Sequence, residues 1–121
     1  MVLNDTILNI GAQAMMDAMT HMGIHTAAPD GSGSNPALSA RQAITWVTAA
    51  NGDMVATVDL PFTGGAASGP ATHAGFWSSA GSGSPPTGGT FYGAYPLTGD
   101  QTFNAAGEYT VTGINIPGTA T

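Results

Sequence analysis

The chain has 121 residues, the length of one domain, and a formal net charge of −6. Arg41 is its single cationic side chain against seven carboxylates, and it contains no lysine and no cysteine. This composition excludes nucleic-acid backbones and anionic membranes as partners, because both need clustered cations. It also excludes disulfides, cysteine-based zinc sites and thiol nucleophiles.

The surface must be mostly polar but uncharged, since only 7% of the residues are charged. Such a surface is typical of a protein fixed in an assembly or located outside cells, not of a free cytosolic protein. No stretch is long and apolar enough for a membrane helix, and the N-terminus lacks the basic residues of a signal peptide. We expect a soluble protein that is not exported by a cleaved leader.

The first predicted element is an amphipathic helix over residues 5–22. Asn4 or Asp5 is suited to cap its N-terminus, and Gly23 is predicted to end it. Its apolar face is either part of the core or a subunit interface, and the sequence leaves both open. We expect residues 1–23 to be an assembly or docking element and residues 24–121 to be the β domain. The candidate interface residues on this helix are Ile7, Leu8, Met15, Met19 and Met22.

The apolar period changes after residue 23, and short strands separated by Gly- and Pro-rich loops follow. Asn51-Gly52 predicts a type I′ turn between two strands, because both residues tolerate positive φ. Five to seven strands at this spacing predict a mainly β fold, a single antiparallel β-sandwich (jelly-roll or immunoglobulin-like) preceded by one N-terminal helix. The strands are predicted at 24–28, 42–49, 53–60, 71–79, 90–95 and 108–116; Met54, Ala56, Val58 and Leu60 are predicted to face inward, and Gly113 to form a bulge.

Motifs for catalysis are missing from the sequence: there is no nucleophile elbow, no P-loop and no dinucleotide fingerprint. Asp53 and Asp59 are predicted on the outer face of a strand, with no apolar pocket to separate an acid from a base. His21 and His25 could share a metal only on a continuous helix, which Gly23 interrupts. We therefore expect no enzymatic activity, no cofactor and no metal site.

The aromatic side chains allow two interpretations. Trp77, Tyr92 and Tyr95 lie near predicted loops and could form a stacking platform for a glycan. The favoured interpretation places Trp46 and Phe76 in the core and the tyrosines at its rim, because aromatic side chains dominate core burial.

Five sequence motifs lie along residues 24–112. They are His25-Thr26-Ala27, the Gly-rich loop after Pro29, Ala40-Arg41-Gln42-Ala43-Ile44-Thr45-Trp46, Thr72-His73-Ala74-Gly75-Phe76-Trp77-Ser78 and Gly88-Gly89-Thr90-Phe91-Tyr92-Gly93. With these motifs, the chain resembles a family of small tailed-bacteriophage virion structural proteins. Members of this family are described as head decoration, minor capsid or tail-fibre proteins, and the motifs are structural signatures without catalytic residues. Arg41 matches the arginine of the family's Ala-Arg-Gln motif, whereas the insertion at residues 84–86 lengthens one loop.

The resemblance implies a capsid decoration or minor capsid protein that binds and stabilises the assembled shell. Its expected partners are the major capsid protein and copies of itself, as a trimer or higher oligomer. It would be made in the cytoplasm of the bacterial host and lie on the capsid exterior. Without lysine it cannot supply the amine of a lysine–asparagine isopeptide bond, so its reinforcement is expected to be non-covalent. The shell contact is expected on the helix face or on the loop at 29–38. The alternative is a tail-fibre-associated module that binds a receptor or glycan.

Arg41 is predicted at the entry to the second strand, just after a long loop. Its guanidinium is expected either to clamp that loop to carbonyls or a carboxylate of the same chain, or to bridge to a neighbouring subunit.

Overall fold

The computed structural model describes residues 3–47, 51–57 and 59–118, and the fold is mainly β with one N-terminal helix. This confirms the fold class predicted from the sequence. The elements are α1 (Asp5–Ala18), β1 (His21–His25), β2 (Gln42–Ala43), β3 (Met54–Ala56), β4 (Leu60–Phe62), β5 (His73–Trp77), β6 (Phe91–Pro96), β7 (Tyr109–Val111) and β8 (Ile114–Ile116).

Helix α1 starts as predicted and ends four residues early. The Asn4 side chain caps it by accepting a hydrogen bond from the Ile7 amide at 3.1 Å. Its C-terminal cap is Met19, so the predicted cap at Gly23 is wrong. The chain leaves the helix because residues 21–25 pair with β5, and Gly23 lies inside β1. The domain boundary predicted at residue 23 therefore falls within a strand.

All strand pairs are antiparallel. One sheet has four strands in the order β2-β1-β5-β6, and two further sheets consist of β3 with β8 and β4 with β7. In the central pair, His21 lies opposite Trp77 and His25 lies opposite His73.

The hairpin predicted around residue 51 is present in reduced form. Asn51 and Gly52 have φ of 55° and 78°, as a turn of the predicted type requires. Of the predicted strand 42–49, only β2 and a bridge from Val47 to Val55 are regular, and residues 48–50 lie outside the described residues. The predicted inward residues Met54, Ala56 and Leu60 are buried, and Val58 lies outside the described residues.

The last predicted strand, 108–116, is two strands that pair with different partners. Gly113 lies between them, and a Cβ there would be 3.1 Å from the Ala56 carbonyl oxygen. Gly113 therefore lies where the chain passes from the strand pair β4–β7 to the strand pair β3–β8, and it does not form the predicted bulge.

A single cluster of buried apolar side chains joins the helix and the three sheets. Ala12 and Met16 bring α1 into this cluster, which also contains side chains of β1 and β5 and the Phe103 ring. The packing of the sheets as a single β-sandwich, whether jelly-roll or immunoglobulin-like, stays a prediction.

Candidate functional site

Arg41 is a buried clamp on the loop between β5 and β6. It is only 6% exposed, and its Nη1 donates to the carbonyl oxygens of Ser79 at 3.1 Å and Gly88 at 2.8 Å. These two carbonyls stand at the two ends of the loop, so one guanidinium closes its base. The clamp interpretation is therefore the one that the structure supports, although the clamped loop is 79–88 and not 29–38. A bridge to another subunit would need an exposed guanidinium.

The guanidinium also stacks on Trp77, with Cζ at 3.6 Å from the ring centroid. Burial lowers the pKa of Arg41, but an arginine stays charged in proteins. The charge is thus held against an aromatic face and two carbonyl dipoles inside the chain. It is not available to a ligand.

The Trp77 ring also packs against two other rings. The His25 imidazole lies parallel to it at a centroid distance of 6.0 Å, and Phe91 packs at 5.1 Å. We call these four side chains, Arg41, Trp77, His25 and Phe91, the Trp77 cluster. Trp77 is only 7% exposed, so its predicted role in a glycan platform is wrong.

The loop at 29–38 covers the Trp77 cluster. Gly33 has a φ of 79°, and a Cβ there would lie 2.5 Å from Trp77 and 2.9 Å from Phe91. The Ser34 carbonyl oxygen lies 2.8 Å from His25 Nδ1. A carbonyl only accepts, so Nδ1 carries the proton and Nε2 is the unprotonated nitrogen of the neutral ring.

Within residues 3–47, 51–57 and 59–118, three buried polar atoms lack a hydrogen-bond partner: His25 Nε2, Ser39 Oγ and Arg41 Nη2. Burial lowers the pKa of His25, the hydrogen bond to Ser34 opposes this, and the charges of Arg41 and His73 lower it further. His25 is thus held neutral because its protonated ring would be poorly compensated.

The histidines do not converge on a metal. His21 and His25 are four residues apart on one strand, which separates their Cα atoms by about 13 Å. His25 has His73 as its cross-strand partner, with Arg41 among the charges acting on it. In the described part of the chain, no group of three His, Cys, Asp or Glu is placed to hold a metal ion.

The outer face of α1 is apolar and exposed. Ile7, Ile10 and Met15 are 46%, 60% and 49% exposed. Beside them a groove of about 320 Å³ runs between the helix and Tyr92, lined by Ala14, Met15, Ala18 and Met19. We call Ile7, Ile10, Ala14, Met15 and Ala18 the outer face of α1.

The predicted interface residues divide between this face and the core. Ile7 and Met15 are exposed and Leu8 is half-buried, whereas Met19 and Met22 are buried in the chain's own core, where Met19 reaches only the wall of the groove. Ile10 was not predicted. The signal for it is its position on the side of the helix opposite Ala12 and Met16, at 3.6 residues per turn.

The glycan platform predicted from three aromatic residues is not assembled. Trp77 is buried, and Tyr92 and Tyr95 line different depressions. Tyr95 lies in an open cleft of about 620 Å³ that also contains Tyr109.

Among the described helical residues, no helix is long and apolar enough to cross a membrane. No model of a known protein family, no curated protein and no solved structure matches this chain.

Proposed function

We propose that this protein is a structural subunit of a bacteriophage virion, a capsid decoration or minor capsid protein without enzymatic activity. It binds the assembled shell through the outer face of α1 and stabilises it non-covalently. The observation that carries the proposal is the exposure of Ile7, Ile10 and Met15 on one helix. Large exposed apolar patches mark interaction surfaces, and their burial contributes about 25 cal/mol per Å².

The charges around the outer face of α1 favour a neutral or basic partner. Asp5 and Asp17 lie on the same helix, and the one cationic side chain, Arg41, is buried elsewhere. A shell protein with an apolar socket and a rim that carries no excess of carboxylates would fit. Because many copies would bind to one particle, a small stabilisation of the shell by each subunit would add up over the particle.

The sequence motifs of residues 24–112 support the same assignment, because they resemble virion structural proteins without catalytic residues. Placement on the capsid exterior and assembly as a trimer or higher oligomer belong to this proposal. The alternative, a tail-fibre-associated receptor- or glycan-binding module, keeps two of its three predicted residues accessible, but Tyr92 lines the groove beside α1 and Tyr95 lines a separate cleft.

The test is the number of copies of this protein per major capsid protein in purified particles, measured by quantitative mass spectrometry. A decoration protein is expected in a fixed, high ratio to the shell protein. A few copies per particle, in a ratio matching tail components, would favour the alternative, and absence from the particle would contradict both.

A further inference from the structure

The open cleft beside Tyr95 is separate from the proposed docking surface. Its walls come from β4, β6, β7, the start of β8 and the segment 97–104, and α1 and the Trp77 cluster do not contribute to it. Its volume of about 620 Å³ falls in the range of small-molecule pockets, about 300–1,000 Å³. A ligand bound there would leave the outer face of α1 uncovered.

The aromatic wall of the cleft is held in place. The Tyr109 hydroxyl donates to the Asp100 carbonyl oxygen at 2.6 Å, and the Tyr109 ring meets Phe103 edge-on at 6.0 Å. Burial, and secondly the Asp100 carboxylate, raise the pKa of Tyr109, so the hydroxyl stays protonated at neutral pH. Tyr95 packs partly against the core and lines the same cleft. Tyr109 is therefore held by a hydrogen bond and a ring contact, and Tyr95 is supported by the core on one side.

The polar groups of the cleft are also oriented by the chain itself. Asp100 Oδ1 accepts from the Thr102 amide at 3.1 Å and from its hydroxyl at 2.9 Å. Glu108 Oε1 accepts from the Asn104 amide side chain at 3.1 Å. An ionised carboxylate offers about four acceptor positions, so these contacts leave both groups with capacity for further hydrogen bonds.

The charge of the cleft selects its ligand. Two carboxylates and no cationic side chain line it among the described residues, so an anionic ligand would be repelled. The rim instead carries threonine hydroxyls at 63, 98, 102, 110 and 112, which are neutral donors and acceptors. A ligand with many hydroxyls matches carboxylates and threonines together, and its C–H faces match the tyrosine rings.

We propose that this cleft binds a short, uncharged saccharide, packed against Tyr95 and Tyr109 and hydrogen-bonded to Asp100 and Glu108. The proposal does not depend on the shell-binding role, because the residues of the two surfaces are different. A cationic ligand is the competing occupant, since carboxylates and aromatic faces both attract cations.

The test is an NMR titration of the full chain with four neutral disaccharides as probes: lactose, maltose, cellobiose and chitobiose. Sialyllactose serves as the anionic counterpart and cadaverine as the cationic one. We expect saturable shifts at the cleft residues with at least one neutral probe, unchanged by added salt because no charge is paired.

Variants locate the site. Tyr95→Ala and Thr110→Trp, which fills the cleft from an exposed strand position, should each weaken binding at least about tenfold, or about 1.4 kcal/mol. Tyr92→Ala, an exposed tyrosine outside the cleft, is the matched control and should bind as the parent does. If Tyr95→Ala loses its fold, Thr110→Trp decides.

Three results would overturn the proposal: no neutral probe shifts the cleft, only cadaverine or sialyllactose binds, or Tyr92→Ala weakens binding as much as Thr110→Trp does.

Discussion

Arg41 shows how this chain uses its only cation. A buried charge needs compensation, and here it comes from the Trp77 ring face and the carbonyls of Ser79 and Gly88 rather than from a carboxylate. Among the described residues, Nη2 has no hydrogen-bond partner, so the compensation is incomplete. The planar guanidinium is suited to this place because it can stack and donate at once.

Replacing Arg41 tests the clamp. Arg41→Ala should lower the free energy of unfolding of the isolated protein by about 2–4 kcal/mol, from the lost stacking and charged hydrogen bonds. Arg41→Lys keeps the charge but not the planar stack, so it should restore only part of this stability. Urea unfolding of the three proteins measures the difference. Arg41→Ala with unchanged stability but lost assembly would contradict the clamp and support a bridge between subunits.

His25 should make stability depend on pH. Its pKa in the folded protein is lowered from 6.5 by burial, so below about pH 6.5 the unfolded chain binds more protons. Stability is then full above pH 6.5 and falls as the pH drops towards the lowered pKa, by at most about 1.4 kcal/mol per pH unit.

His25→Gln removes this titration and leaves the other ionisable side chains in place. The variant is expected to be less stable overall, because His25 is fully buried and stacked on Trp77. Its unfolding free energy should change less than that of the parent between pH 6.5 and 5. An equal pH dependence in both proteins would show that His25 is not the responsible group.

The loop at 29–38 packs closely against the Trp77 cluster at Gly33. Gly64 is a matched control for a substitution there. Gly33 and Gly64 have nearly the same φ, 79° and 81°, but a Cβ at Gly33 would meet Trp77 and Phe91, whereas one at Gly64 meets nothing within 4 Å. Alanine at either position incurs the left-handed backbone cost of about 1–2 kcal/mol. The free energy of unfolding should fall by about 1–3 kcal/mol more in Gly33→Ala than in Gly64→Ala, because the added methyl group overpacks the space beside Trp77 and Phe91.

Thermal and urea unfolding of the two alanine variants measures this difference. Equal losses would mean that the loop does not press on the Trp77 cluster.

Local sequence patterns predicted some elements correctly. They failed for elements whose bounds depend on pairing with a strand that is distant in sequence. The Asn4 cap and the Asn51-Gly52 turn depend on neighbouring residues, and both were predicted. The helix end was wrong because β1 pairs with a strand some fifty residues later, which no local pattern reveals. The single strand predicted at 108–116 was divided for the same reason, since its two halves have different partners.

The predicted glycan platform failed at Trp77 because the space that buries its ring is created by glycines. Cβ atoms at Gly23 and Gly75 would lie 3.4 Å from Trp77 Nε1 and 2.2 Å from His25 Nε2, respectively. A glycine inside a strand often marks a place where another group approaches the backbone closely, and here aromatic rings take that space. Tyr95 was among the predicted glycan residues, but the cleft that it lines could not be predicted, because this cleft joins strands that are distant in sequence.

The whole molecule combines a net charge of −6 with a largely uncharged polar surface and one exposed apolar helix face. Because every copy of the chain carries the same negative net charge, copies repel one another at long range. The favourable free energy of burying the outer face of α1 in a contact opposes this repulsion. Thr112, between β7 and β8, is exposed and lines the cleft to which α1 does not contribute, so it allows a controlled comparison.

The most direct measurement is co-sedimentation of Ile10→Asp and Thr112→Asp with virus particles that lack this protein. Each adds one carboxylate at an exposed position, so each should change the unfolding free energy by no more than about 0.5 kcal/mol. We predict that the parent and Thr112→Asp bind to saturation with the same stoichiometry and that Ile10→Asp does not bind. If Ile10→Asp binds as the parent does, the outer face of α1 is not the docking surface.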